Sequence, residues 1–143
     1  VDITTKPPVF RKATATGSIR LQKATIEAIK AGKIKKGDPL ATARLAAILA
    51  VKDTPRLIPL CHPIPITALE VSFALEEIRV RTRVTVTSVG RTGVEMEALT
   101  GVAVSLLNIW DMVKYLEKDK TGNYSETRIE EIQVLEKIKE LAL

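Results

Sequence analysis

Three groups of polar residues stand in segments that otherwise read as structural. The first is Lys35-Lys36-Gly37-Asp38 at the start of a candidate helix. Backbone N–H groups and the positive end of a helix dipole favour an anion there, and the lysines add to that field. The simpler account is a solvated charged turn with a capped helix, since no GxxxxGK[ST] loop is present. The second group is Cys61-His62, in the run Ile58-Pro-Leu-Cys-His-Pro-Ile-Pro65. Prolines hold an exposed side chain in place at low entropy cost, which suits a binding His62. A lone histidine serves as well as a structural hydrogen-bonding group. Cys61 reads as packing, because adjacent residues on an extended chain point to opposite sides. The third group lies along a long helical segment: Glu95, Glu97, Asn108, Asp111 and Lys114. At about 100° per residue, Glu97, Asn108 and Asp111 share a stripe of about 60°. Asp111 and Lys114 are three apart on one face. A carboxylate and an ammonium held together have perturbed proton affinities, as general acid–base work requires. By spacing alone, a plain salt bridge is the simpler account.

Glu97 and Asp111 are separated by about 21 Å along a straight helix at 1.5 Å per residue. One small ligand can hardly touch both on one helix. Either they serve different ends of a large substrate, or two subunits meet at the site.

Composition narrows the classes. The chain has 143 residues, a formal net charge of +5, 45% apolar and 27% charged residues. These values fit one soluble globular domain over residues 1–143 and exclude a disordered or collagen-like chain. One cysteine and one histidine leave no internal disulfide and no cysteine-based metal cage, so no metal site is expected. No apolar run reaches the roughly 20 residues of a membrane span. The first residues carry no apolar signal-peptide core. A reducing, cytoplasmic setting with no membrane partner is the expectation. Aromatics at 3% offer few stacking platforms for single-stranded nucleic acid.

The elements that must position these residues follow from periodicity. Residues 1–11, with Pro7-Pro8, read as an extended arm. Alternation of Ala13, Ala15, Gly17, Ile19 and Leu21 predicts a strand. Residues 22–31 predict a helix ended by Gly32. Asp38 as N-cap and Pro39 at the first position start a second helix, which should stop before Pro55. Its apolar face of Leu40, Ala43, Ala46, Ala47 and Ala50 is small, which predicts close packing on a neighbour. Two strands follow, Leu69–Leu75 and Ile78–Val86, joined as a hairpin at Glu76-Glu77. A long helix is expected over 94–117. Its stretch Ala98–Trp110 carries no charge, so it should be covered on several sides, by a sheet and by another subunit. Ile132 and Val134 suit a strand near 128–136, whereas Ile129, Ile132, Leu135 and Ile138 have helical spacing; 137–143 is left as a tail. The order β-α-α-β-β-α-β is an α+β sandwich, one antiparallel sheet with helices on one face.

Five motifs in order make the pattern specific. They are Val1-Asp2-Ile3 with Lys6 and Arg11; Lys36-Gly37-Asp38 with Ala41-Thr-Ala-Arg44; Leu57-Ile-Pro-Leu-Cys-His-Pro63; Thr92-Gly-Val-Glu-Met-Glu-Ala-Leu-Thr100; and Asp111-Met112 with Lys114. Over about residues 1–136 the chain resembles the molybdenum cofactor biosynthesis protein C (MoaC) family, the cyclic pyranopterin monophosphate synthases. The resemblance implies a ferredoxin-like fold and a homohexamer, a trimer of dimers with sites at the dimer interface. The implied substrate is 3′,8-cyclo-7,8-dihydroguanosine 5′-triphosphate, made from GTP. The implied products are cyclic pyranopterin monophosphate and pyrophosphate. Asp111 matches the family's catalytic aspartate, read as a general base. Lys36 and Lys114 match catalytic lysines, acid and phosphate stabiliser either way round. Leu60, Cys61, His62, Glu95, Met96 and Glu97 are implied to bind the substrate, and Arg11 to help hold the triphosphate. The implied lyase needs no bound cofactor, with Mg²⁺ admissible only as an escort of the triphosphate. The chain departs from the family at its end, where Leu135-Glu-Lys-Ile-Lys139 replaces a usual Lys-Ser-Gly-Gly-Lys-Ser-Gly segment. Lys137 or Lys139 is the candidate replacement charge.

The rival is a non-catalytic nucleotide or nucleic-acid binder of the same fold. It would use Arg79, Arg81 and Arg83, which share one strand face. A solvated sheet face beside Glu70 and Glu76 is the preferred account of those three.

Overall fold

A computed structural model describes residues 1–141. The elements run β1 (Val9–Arg20), α1 (Lys23–Lys30), α2 (Pro39–Leu57), β2 (Ile66–Leu75), β3 (Arg79–Gly90), α3 (Glu95–Glu117) and β4 (Arg128–Leu141). All strand pairs are antiparallel, in the order β2-β3-β1-β4. This is the expected α+β sandwich, and its strand order is that of the ferredoxin-like fold.

Strand alternation decides which face is covered. Ala13, Ala15 and Ile19 of β1 stand opposite Val86, Val84 and Val80 of β3, and all six are buried. Their side chains meet Ala98, Val102, Leu106, Ile109 and Val113 of α3 in one core with Ala43, Ala47 and Val51 of α2. Burying each Val, Leu or Ile contributes about 1.5–3 kcal/mol. The small-residue face of α2 does pack closely. A Cβ on Gly101 of α3 would stand 2.8 Å from Val51 Cγ2, 3.3 Å from Val84 Cγ1 and 3.5 Å from the Ala47 carbonyl. On β1, a Cβ at Gly17 would stand 2.8 Å from Val102 Cγ1. Glycine at these two positions lets α3 lie directly on the sheet and on α2. By length and composition alone α3 is apolar enough to cross a membrane. Here it is the helix on which the core closes.

Several boundaries differ from expectation: β2 starts three residues before Leu69, and β3 runs four residues past Val86 to pair with the start of β1. The arm is shorter than 1–11, because β1 starts at Val9, which is buried and pairs with Gly90. Helix α2 does not stop before Pro55 but runs to Leu57. Pro55 lies in its last turn, where a missing N–H breaks a single helical hydrogen bond. The turn still closes through Ile58 N–H to the Thr54 carbonyl at 2.8 Å.

Strand β4 continues past 136 to Leu141, pairing with β1, so most of the expected tail is strand; 142 and 143 lie outside the described residues. Two register shifts account for the part of its helix-like spacing that joins Ile129 to Ile132; Leu135 falls within a shift and Ile138 stands opposite Lys12. The shifts fall between Thr14 and Ala15 and between Thr16 and Ser18. Each inserts an extra β4 residue, so residues facing the helices recur at intervals of three as well as two. Ile129 pairs with Ile19, Ile132 packs on Gly17, Val134 pairs with Ala15 and Lys137 with Ala13. Glu131, inside the second shift, has φ of 59°, in the left-handed region.

Replacing Gly101 by Ala should test the close approach. Helix propensity favours Ala by up to about 1 kcal/mol, but the overpacked Cβ costs about 1–3 kcal/mol. A net loss of stability, read as a melting temperature several degrees lower, is expected; a higher one would refute the tight α2–α3 contact.

Candidate active site

At the C-terminal end of α3, three charges meet. Lys114 Nζ lies 3.0 Å from Asp111 Oδ1, and Lys36 Nζ lies 3.3 Å from Asp111 Oδ2 and donates also to the Asp111 carbonyl. The three predicted catalytic residues are thus brought together, two by helical spacing and the third by the loop before α2. That loop enters beside α3 because Ile34 is buried in the core. The start of α2 is the capped helix of the simpler account and not an open anion site. Asp38 caps it, accepting from the Leu40 and Ala41 amides at 3.0 and 3.2 Å. The flanking lysines turn instead to α3, Lys36 to Asp111 and Lys35 over the Tyr115 ring.

The electrostatics of this exposed triad are clear in sign. Hydrogen bonds from Lys114 and then Lys36 hold the Asp111 carboxyl below its ordinary 3.8. Asp111 in turn holds the Lys114 ammonium above its ordinary 10.5. The anion of Asp111 and the cation of Lys114 are thus mutually favoured, an arrangement suited to gripping a further anion through the lysines.

The other predicted residues gather at the N-terminal end of α3. The proline-braced loop folds over it in a turn closed by Cys61 N–H to the Ile58 carbonyl. A cavity of about 360 Å³ opens there, lined by Val1, Ile3, Lys6, Leu60, Cys61, His62, Thr92, Gly93, Glu95 and Met96. Leu60 is 84% exposed, although a packed loop would hide it. Beneath the loop, Glu97 is 2% exposed, and its Oε1 has no partner among the described residues. Cys61 donates its thiol to Glu97 Oε2 at 3.8 Å. Burial pushes the Glu97 carboxyl above its ordinary 4.5, and burial and Glu97 push the Cys61 thiol above its ordinary 9.0. Cys61 is accordingly a thiol donor rather than a nucleophile.

Arg11 lies beside this cavity, in a recess of about 90 Å³ with Glu95, Lys137 and Lys139. Lys137 reaches Glu95 at 3.5 Å, while Glu95 Oε2 and Arg11 Nε are buried without partners among the described residues. Lys6 also faces the cavity, although the sequence reading kept it only as part of a motif. Its signal was available: a cation on an arm that proline stiffens. Among the described residues, no group of three or more His, Cys, Asp or Glu gathers as a metal cage.

One chain does not join the two ends. Asp111 and Glu97 stand at opposite ends of α3, about 21 Å apart. They share a wheel stripe yet have opposite surroundings, because the loop covers only the N-terminal end. Two of the three arginines on the strand are balanced by acids: Arg79 pairs with Glu130 at 2.7 Å, and Arg81 with Glu76 at 3.1 Å and Glu131 at 3.5 Å, while Arg83 and Glu70 make no ion pair among the described residues. This favours a solvated sheet face over a phosphate track.

Comparison with known proteins agrees with the geometry. The chain is 61% identical over 140 residues to a probable cyclic pyranopterin monophosphate synthase of Methanococcoides burtonii, covering 98% of this chain and 88% of that one. It is 57% identical to the protein of that name from Thermococcus kodakarensis and 56% to that from Archaeoglobus fulgidus, each over 97% of this chain and 89% of the relative. The MoaC family matches residues 1–139, and the chain belongs to that family.

Proposed function

We propose that this protein is a cyclic pyranopterin monophosphate synthase, a pyrophosphate-releasing lyase of molybdenum cofactor biosynthesis. The observation that carries the reading is the pairing of two unlike sites on one helix. An exposed Lys36–Asp111–Lys114 triad stands at one end of α3, and a cavity holding His62 over a buried carboxyl stands at the other. The reaction turns a cyclised GTP into a pterin bearing a cyclic phosphate. It needs proton transfers and anion binding, with no redox group. Asp111 acts as the base, and Lys36 and Lys114 share the roles of acid and phosphate stabiliser. Arg11 presents a planar fork to the triphosphate. The protonated form of Glu97, which its burial favours, both donates and accepts, as the edge of a purine-derived ring demands. No resident cofactor enters this scheme, and Mg²⁺ enters only as a companion of the triphosphate. The setting is cytoplasmic, where the free Cys61 thiol stays reduced.

The active unit is a dimer within a hexamer. Val104 lies midway between Glu97 and Asp111 on α3. A two-fold axis crossing the helix there would bring Asp111 of one copy level with Glu97 of the other. The surface around it suits such a partner. Leu107 is 56% exposed on α3, and Leu45 and Leu49, one turn apart on α2, are 63% and 64% exposed. Exposed leucines grouped in this way favour association.

With the cyclised GTP intermediate supplied, pyrophosphate release is the expected signal, and its absence at any enzyme concentration would end the proposal. Asp111→Asn should lower turnover by about 10²–10⁴-fold with the assembly intact. Lys36→Ala and Lys114→Ala should raise KM and lower kcat together. Asp111→Asn and His62→Ala proteins, dissociated and reassembled together, should regain about a quarter of the wild-type rate, because half of random dimers carry one intact shared site of two. No recovery would place the site within one chain.

Glu97 supplies a separate check through stability. Its folded-state pKa is raised, so the folded protein holds this proton more tightly than the unfolded chain. That contribution is present at low pH and is lost as pH rises above the ordinary 4.5 and through the folded value. Glu97→Gln should therefore melt near the wild-type temperature at pH 4 and above it at pH 8. A pH-independent difference would mean that the fold leaves the Glu97 carboxyl unshifted, and would refute its burial as the controlling influence.

A further inference from the structure

We propose that Tyr115 is a positioning residue, holding the loop of residues 31–38 against α3 so that the Lys36 ammonium reaches Asp111. The proposal rests on the active-site reading of Lys36 and Asp111. Tyr115 follows Asp111 by four residues, so both project from one face of α3. The phenol oxygen accepts the Lys35 backbone N–H at 2.9 Å, and the Lys35 ammonium sits 5.3 Å from the ring centroid.

The loop needs such a tie. Gly32 and Gly37 bound it with φ of 68° and 115°, positions where the backbone has more freedom than elsewhere. Ile34 fixes one point by burial. Between Ile34 and Gly37, Tyr115 holds the next residue by its backbone, which leaves only the Lys36 side chain to turn toward Asp111. The Lys36 contacts are both 3.3 Å long and exposed, too weak to order a glycine-flanked loop unaided. Tyr115 itself is 36% exposed and absent from the core, so packing does not account for it. The charges facing Asp111 are Lys114 from α3 and Lys36 from the loop, with Lys35 a turn away over the Tyr115 ring.

Tyr115→Phe removes the acceptor and keeps the ring. If the phenol positions Lys36, the Asp111 carboxyl signal in ¹³C NMR should titrate higher in the variant, closer to the ordinary 3.8. The value of kcat should fall about tenfold, with a smaller change in KM. Lys36→Met should give the same upward titration shift, and adding Tyr115→Phe to it should give no more. A variant with unchanged Asp111 titration and unchanged kcat would overturn the proposal, even if its melting temperature fell. Full turnover by Lys36→Met would instead overturn the active-site reading, leaving the titration to report on Tyr115 alone. In the unmodified protein the Lys35 amide should exchange slowly; exchange at the rate of an open loop would remove the contact on which the proposal stands.

Discussion

The seating of α3 on the sheet is the contact from which the rest follows. Gly17 and Gly101 remove side chains where β1, α2 and α3 press together, and Val102, Leu106 and Val84 fill the space. A larger residue at either place would lift the helix from the sheet or from α2. Because α3 lies flat, its two ends are fixed relative to the loops that reach them. The 58–65 loop meets the N-terminal end, and the 31–38 loop meets the C-terminal end. The buried carboxylate Glu117 secures the latter end further. It accepts from the Gln22 amide at 3.1 and 3.2 Å, from Thr127 Oγ1 at 2.7 Å and from Thr25 Oγ1. It thereby gives the start of α1 the cap that its own sequence lacks.

The same helix carries carboxyls pushed in opposite directions. Asp111 is exposed and flanked by two ammonium groups, so its anion is favoured. Glu97 is buried with only a weak thiol donor, so its neutral form is favoured. Neither state follows from residue type. Each follows from what the neighbouring loop brings, cations in one case and a proline-braced cover in the other. One helix thus holds one carboxyl that favours its anion and one that favours its proton, the separation of proton affinities that acid–base chemistry uses.

Most of the fold was legible because its signals are local. Asp38-Pro39 marks a helix start, the β2–β3 alternation marks a hairpin, and the uncharged run after Glu97 marks a covered helix. The site was legible as motifs, and the Asp111–Lys114 pair also as helical spacing. The Lys36 contact was not, since nothing local says that a turn 75 residues earlier lies beside α3. The burial of Glu97 was equally hidden, because a helical wheel records direction and not what covers it. The end of α2 was misread because a proline in a last turn interrupts less than one in mid-helix.

The C-terminal strand shows what a departure from the family's usual ending does to the placement of its lysines. A glycine-rich segment would deliver lysines on a flexible tether. Here the segment is a strand, and side chains on a strand alternate between faces. Ile129 of β4 faces the helices opposite Ile19, so without register shifts Lys137 would also face them, eight residues on. One shift alone would turn Lys137 to the outer face; the second returns it. Between the two shifts, Ile132 and Val134 pack on Gly17 and Ala15, which an unbroken alternation would forbid. The paired bulges thus let β4 supply apolar side chains to α3 and then bring Lys137 and Lys139, opposite Ala13 and Arg11, to the recess beside Glu95. The cations are placed by register, and the sheet fixes them as it folds, which a glycine-rich tether would not do.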